Sequence, residues 1–444
     1  MRIMTVVAIA TMLATAPAFA QGAGTAGPSA AKPAAAAPVG AANPAHATAV
    51  KPAAASTPES RSAAALALSH EPTYDEGTAQ RIKEAALSYS DIAVRGGWPA
   101  IPAEAKFTPG TPGPHDDLLR QRLLISGDLA PDKASGPYDV VVAESVRRFQ
   151  VRHGLAATGT VTPRTLAALN VPVQKRIKQL EASLERLENM TFSFGQRYVV
   201  VNLPATFAEA VEGDKVVRRY RVIVGKTEKP SPTLTAEITS VNLNPTWTVP
   251  SSIAKTEISA HMRRDPGYLS RMHMEVLDAR DAPIDPHAVD WSGAHTPNFT
   301  VRQQSGTWNA LGAVKIDMPN PYSVYMHDTN QRNLFSDDYR FDSHGCSRVD
   351  NVRDLAAWLL KDQPQWNRAA IDATIATGQR HDIGLTSKVP VAWIYLTGWM
   401  TKDQTVQFRN DIYDQDEQLL EATAEEAAFF NHAANHPLTA HLAQ

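Results

Sequence analysis

The sequence predicts a multidomain α+β chain, in which a small all-α module precedes a mainly β domain that carries an insertion. Three observations lead there. With 444 residues and 43% hydrophobic side chains, the chain is long enough for two or three domains with real cores. Up to about residue 190 the apolar residues recur at helical spacing. After Thr191 they alternate, as strands buried on one face require. The near balance of 43 Lys+Arg against 46 Asp+Glu argues against a nucleic-acid partner, whose binders show a basic excess or stripe. A single cysteine excludes an internal disulfide, zinc ribbons and Cys-x-x-Cys redox pairs.

The first twenty residues read as a cleavable export signal: Arg2, a short apolar run over 6–14, and the small-x-small pattern of Ala18-Phe19-Ala20. That run is well short of the roughly 20 apolar residues a spanning helix needs, and no other segment reaches that length. A soluble mature chain outside the cytoplasm is therefore expected, with no membrane span after cleavage. Residues 21–70 are dominated by Ala, Pro, Gly, Ser and Thr. With almost nothing to bury, they read as a disordered tether.

An N-terminal helical segment, 71–114, follows. Ile82, Ala85, Ala86, Tyr89 and Ala93 define a helix that Gly96-Gly97-Trp98-Pro99 ends. Between 115 and 172 three short helices make a compact module. Leu118, Leu119, Leu123 and Leu124 mark the first, which stops at Ser126-Gly127. Val142, Val146 and Phe149 mark the second, with Gly154 after it. Thr162-Pro163 opens the third, Thr as N-cap and Pro at the first helical position. A connector helix at 173–190 carries Ile177, Leu180, Leu184 and Leu187 on one stripe.

The β domain is expected over 191–416. Strands are predicted over 197–203 and 216–225, joined across Glu212-Gly213-Asp214, and further strands over 238–242, 313–318, 322–326 and 391–397. The stretch from about 259 to 300 breaks the regularity with His, Asp, Pro and Arg and reads as a lid insertion. Residues 417–444 read as a polar tail.

The chemistry concentrates in Met326-His327-Asp328-Thr329 and Ser343-His344-Gly345-Cys346. A thiol attacks as thiolate, and a nearby imidazole or a helix N-terminus can lower its pKa from about 8.5 into the reactive range. His327 supplies the first aid. Asp350 or Asn351, capping a helix over 352–359, would supply the second. Gly345 lets the backbone approach closely, so amides around Cys346 could face a developing oxyanion, one such donor being worth roughly 3 to 4 kcal/mol. The alternative for Cys346 is an inert buried thiol, the commoner fate of a free cysteine. Its polar, glycine-bearing turn favours the nucleophile.

Two resemblances join these readings. The run Val146-Arg147-Arg148-Phe149-Gln150, His153-Gly154-Leu155 and Gly159-Thr160-Val161-Thr162-Pro163 resembles a small three-helix peptidoglycan-binding module. His327, followed after fifteen residues by Ser-His-Gly-Cys, resembles the signature of the L,D-transpeptidase catalytic domain, also called YkuD. Asn244-Pro245-Thr246-Trp247, Asn309-Ala310-Leu311-Gly312, Met318-Pro319-Asn320, Val324-Tyr325-Met326 and Asp411-Ile412-Tyr413 are similar to the large periplasmic branch of that family.

The likeness implies a β-sandwich-like catalytic domain in the periplasm and acyl transfer between peptidoglycan stem peptides without a cofactor or metal. It implies that Cys346 forms a thioester with a tetrapeptide donor, releasing D-alanine, and that His327 serves as base and acid. The Asp328 carbonyl would orient that imidazole. Gly345 and Cys346 amides would form the oxyanion hole, with Ser343, His344, Arg348, Tyr325 and Asn309 around the substrate. Carbapenems would acylate the thiol. Ser347 stands where that family is usually apolar, and His344 where the large branch often has serine.

Two rival functions carry over: a thiol hydrolase that resolves the same thioester with water, and a non-catalytic wall-binding protein. His432 and His436 lie at i and i+4, but no Glu sits in a His-Glu-x-x-His frame, which favours a polar tail over a metal site. His261, His273, His287 and His295 show no metal spacing. Trp247 is expected in a core; Trp291 and Trp308 either shape a groove or pack.

Overall fold

The computed structural model describes residues 70–292 and 298–435. The expected signal segment 1–20, all but the last residue of the tether 21–70, and the side chains of His295 and His436 lie outside the described residues.

The helical half follows its periodicity. Helix α1 (Thr78–Val94) buries Ile82, Ala85, Tyr89 and Ile92. Helices α2 (Asp116–Ile125), α3 (Val140–Arg152) and α4 (Pro163–Leu169) enclose a core of Leu119, Leu123, Val142, Val146, Phe149 and Leu169. The caps act as their residue types require: Asp139 accepts from the Val142 amide and Thr162 from the Thr165 amide. Helix α5 (Val173–Glu188) is the connector. Its Leu180 and Leu187 share one core with Ile82 and Tyr89 of α1 and with Val200, Ile394 and Trp399 of the β domain. Arg152 fastens the module further. Its guanidinium grips the Asp128 carboxylate at 2.5 and 2.7 Å, and it donates to the Val406 carbonyl at 3.3 Å.

The β domain opens with β1 (Arg197–Asn202), β2 (Phe207–Glu212), β3 (Lys215–Gly225) and β4 (Leu234–Leu243). The predicted turn at Gly213 joins β2 to β3, not β1 to β3. Strand β2 is absent from the periodicity reading because Phe-Ala-Glu-Ala-Val-Glu carries helix formers. Pairing with β1 on one side and β3 on the other overrides that propensity.

The insertion that follows β4 holds β5 (Trp247–Thr248), a helical run over 251–264, helix α6 (Tyr268–Arg271), β6 (Met274–Leu277), β7 (Pro283–Ile284) and β8 (Thr300–Gln303). It begins at Trp247, ahead of the expected boundary near 259. It has its own four-stranded sheet, β5-β8-β6-β7, and its own core of Val249, Ile253, Ile258, Met262, Leu269, Val276 and Val301. The middle of the helical run, Ala254–Ile258, is a π turn, a feature often found at functional sites.

Strands β9 (Val314–Asp317), β10 (Met326–His327), β11 (Phe341–Ser343) and β12 (Ser347–Val349) come next, then helices α7 (Val352–Leu359) and α8 (Arg368–Ala376), and the long β13 (His381–Ile394). The strand predicted over 322–326 is only its last residue plus His327. Asn320 explains why: its amide donates to the Val324 carbonyl at 2.7 Å and its oxygen accepts from Tyr322 and Val324, which shapes a turn where alternation suggests a strand.

One nine-stranded sheet runs β11-β3-β12-β10-β9-β4-β13-β1-β2, and a further β2–β3 pairing closes it into a barrel-like ring. Val199, Val201, Val222, Val241, Ile316, Met326, Val349 and Trp393 fill the interior, with Leu355 and Leu359 of α7 packed against them. A hairpin of β14 (Gly398–Met400) and β15 (Val406–Phe408) packs on α1 and α5. The stretch read as a polar tail forms helix α9 (Asp416–Asn435) instead, and the main chain of His432 lies on it. Its start is anchored where Asp416 meets Arg186 at 2.6 Å and Thr397 at 2.7 Å, contacts that no local pattern reveals. Among the described residues no helix is long and apolar enough to cross a membrane.

Candidate active site

The sequence separates His327 from Cys346, and the sheet register brings them together. Strands β10 and β12 run parallel, with Met326 beside Ser347 and His327 beside Arg348. The Ser347 amide donates to the Tyr325 carbonyl at 3.1 Å, so the register continues back to put Cys346 beside Tyr325. On its other edge β10 meets β9, with His327 opposite Lys315. Side chains alternate along each strand, so Ile316, Met326, Ser347 and Val349 face the core. Lys315, Asp317, Tyr325, His327, Cys346 and Arg348 share the opposite face. The rings of Tyr325 and His327 meet edge to face, 5.6 Å apart.

His327 is buried, and its Nδ1 lies 2.5 Å from the carbonyl oxygen of Asp328. A carbonyl can only accept, so Nδ1 carries the proton and Nε2 keeps its lone pair. Burial, with the Arg348 guanidinium and then Lys315 adding to it against the Asp328 carbonyl, pushes the imidazole down to about 3. The imidazole is therefore neutral at rest. The Asp328 carboxylate is spent elsewhere, accepting from the Ala313 amide at 3.0 Å and from Arg332 at 2.8 Å. Gly312 makes that seat: its φ is +61°, and a Cβ there would lie 2.6 Å from the Asp328 side chain.

Burial pushes the half-buried Cys346 thiol up to about 11, against a backbone hydrogen bond to Tyr325 and the charges of Lys315 and Arg348. This corrects the expected depressed thiol. The imidazole on the same sheet face is neutral and lends no charge. The helix start is no closer aid: Asn351, the cap residue of α7, is left-handed at φ 51° with no side-chain cap bond, and β12 stands between it and the thiol.

The turn carrying Cys346 is braced from several sides. Ser343 Oγ donates to the Cys346 carbonyl at 2.5 Å and accepts from the Gly345 amide at 3.2 Å. Ser231 Oγ donates to the Gly345 carbonyl at 2.7 Å. The Tyr413 hydroxyl donates to the Gly225 carbonyl at 2.5 Å beside it, and Tyr413 stacks on Tyr395. Gly345 sits at φ +108°, a region closed to ordinary side chains.

Several expected roles change as a result. The Gly345 amide is engaged by Ser343, so it is not a free oxyanion donor; the Cys346 amide has no acceptor among the described residues. Ser343 is buried and braces the turn instead of meeting a substrate. Asn309 is wholly buried, its amide donating to the carbonyls of Gln304 at 2.9 Å and Pro245 at 3.2 Å, so it too is structural. His344 turns to the insertion, its Nε2 lying 2.5 Å from Glu257. Arg348 stays at the site, donating to Gln331 at 2.9 Å. Trp247 is half-buried and packs against the core of the insertion. Trp308 stacks on His273 and His261 on Tyr268. Among the described residues no cluster of three or more His, Cys, Asp or Glu could hold a metal. Lys315, absent from the sequence reading, is the residue that reasoning missed. Only the β9–β10 register places it.

Comparison with known proteins fits this geometry. Residues 196–383 match the family "L,D-transpeptidase catalytic domain", YkuD, and residues 115–169 match "Putative peptidoglycan binding domain". A protein of Haemophilus influenzae described as "Putative L,D-transpeptidase" is 30% identical over 222 residues, 50% of this chain and 45% of that protein. The chain thus spans less than half the length of that relative. Among solved structures, an L,D-transpeptidase from Mycobacterium smegmatis is 16% identical over 45% of this chain and 58% of that one, at a TM-score of 0.23. One from Stackebrandtia nassauensis is 12% identical over 65% and 95%, at 0.26. Residues 196–383 are thus similar to the YkuD family of L,D-transpeptidase catalytic domains, and residues 115–169 of the helical module before them to a peptidoglycan-binding domain family.

Proposed function

We propose that this protein cross-links peptidoglycan stem peptides in the periplasm through a thioester on Cys346, taking a tetrapeptide donor and releasing its terminal D-alanine. The observation that carries this reading is the shared sheet face of Cys346, Tyr325, His327 and Arg348, with the Nε2 lone pair of His327 left free. Thiol and imidazole are both neutral at rest. The proton of Sγ therefore passes to Nε2 as sulfur attacks the donor carbonyl, and the negative charge appears on the carbonyl oxygen, where the Cys346 amide can meet it. The imidazolium then protonates the leaving amine of D-alanine, and the thioester remains. An amine of a second stem attacks that thioester, giving its proton to Nε2, and the thiol departs with the cross-link formed.

Peptidoglycan as partner is supported by both matched families, and export by the signal-like N-terminus. The family likeness also supports acylation of Cys346 by carbapenems. The test is mass analysis of muropeptides after incubation of the purified protein with disaccharide tetrapeptides. Cross-linked dimers that vanish in Cys346→Ala are expected. Tripeptides without dimers would make it a hydrolase, and unchanged substrate that co-sediments with sacculi would make it a binder.

A further inference from the structure

The barrel strands offer a row of side chains that the mechanism above does not use. Lys315 sits opposite His327, but its ammonium does not stay in that row. It lies 4.6 Å from the centroid of the Tyr325 ring and 2.5 Å from Asp317 Oδ1. Tyr325 and Asp317 belong to the neighbouring row, the one that the register continues to Cys346. The Lys315 side chain thus carries its charge from the imidazole's row toward the thiol's. It is about one-quarter exposed, and Asp317 about one-third, so neither charge is fully screened by water.

We propose that Lys315 is a positioning residue that sets how much of Cys346 is thiolate, and that Asp317 opposes it, so that this ion pair tunes the nucleophile. The inference rests on Cys346 being the nucleophile. The physical basis is charge placement: an ammonium near a thiol favours the anion, and a carboxylate in the same row disfavours it. The groups facing the thiol from every packed strand enter the balance. From β12 comes Arg348, with Asp342 of β11 behind it; from β10 come Tyr325 and His327; from β9 come Lys315 and Asp317. Both Lys315 and Arg348 oppose the effect of burial on the thiol. His327 takes the proton but, being neutral, lends the thiolate no charge beforehand. That leaves Lys315 and Arg348 as the standing cations.

The test reads the sulfur directly and needs no substrate. Cys346 is the sole cysteine, so the rate of its alkylation by iodoacetamide at pH 7.5 reports the thiolate fraction of this one residue. Lys315→Met is expected to slow alkylation about five- to tenfold, Lys315→Arg to restore it, and Asp317→Asn to speed it about threefold, opposite charge changes giving opposite signs. A rate unchanged in Lys315→Met, or slowed alike in Lys315→Met and Asp317→Asn as a disturbed fold would give, overturns the proposal. Dimer formation surviving in Cys346→Ala would overturn the function and leave the alkylation order standing, so the two failures are distinguishable.

Discussion

The carboxylate of Glu257, in the π turn of the insertion, accepts a hydrogen bond from Nε2 of His344, one residue before the glycine of the reactive turn, at 2.5 Å. Lys229 stands 3.9 Å from the same carboxylate, so the insertion is pinned to two loops of the barrel at one point. Both side chains of the His344 pair are partly exposed, so the contact is worth about 0.5 to 1 kcal/mol. Glu257→Ala should then speed amide exchange over 251–264 about two- to fivefold. Unchanged exchange there would mean that the contact holds nothing down.

Removing the imidazole should be costly but not total. His327→Ala is expected to lower cross-linking about 10² to 10⁴-fold, the usual worth of a positioned general base. Cys346→Ala should abolish it while sacculus binding persists, because the helical module has its own core. Equal activity of parent and His327→Ala in the muropeptide assay would remove the base from the mechanism.

The pH dependence has two limbs of opposite sign. His327 is held down to about 3 in the fold, so between that value and about 6.5 the unfolded chain binds the extra proton. Its contribution to stability is complete above about pH 6.5 and is lost as pH falls toward 3, by at most about 1.4 kcal/mol per pH unit. Cys346 is held up to about 11, so its contribution is complete below about pH 8.5 and is lost as pH rises toward 11. Urea titrations at pH 5 and pH 7 should show a larger loss for the parent than for His327→Gln. Alkylation of Cys346 should keep climbing past pH 9 with no plateau near 8.5.

Ser347 faces the core beside Met326, and its hydroxyl has no hydrogen-bond partner among the described residues. Burying such a group without a partner costs about 1 to 3 kcal/mol. Ser347→Ala should raise the unfolding free energy by about 1 kcal/mol in denaturant titration. A drop instead would mean that the hydroxyl is satisfied.

Asp128 is the carboxylate that compensates the buried guanidinium of Arg152. Asp128→Ala leaves that charge unpaired and should destabilise the protein by about 3 to 5 kcal/mol. A midpoint within error of the parent would contradict it.

What could be read in the sequence was whatever is local. Thr162-Pro163 and the i, i+4 spacing of Ile82, Ala86 and Leu180, Leu184 act within one or two turns, and the helices lie where those residues put them. Cys346 and His327 were legible because their types carry chemistry. What could not be read depends on partners far along the chain. Strand β2 exists because β1 and β3 flank it; α9 begins where Arg186 receives Asp416. Lys315 is one lysine among many until the β9–β10 register sets it beside the base. The family likeness implied substrate contacts for Asn309 and Ser343, yet Asn309 bonds the backbone of Gln304 and Ser343 that of the Cys346 turn.

The brace from Tyr413 through Gly225 and Ser231 to Gly345 has a practical meaning for anyone cutting the gene. The matched catalytic region stops at residue 383, inside β13, thirty residues short of that tyrosine. A fragment trimmed to the family boundary would keep both reactive side chains and lose the prop beneath them. A fragment that keeps the brace has to run past Tyr413.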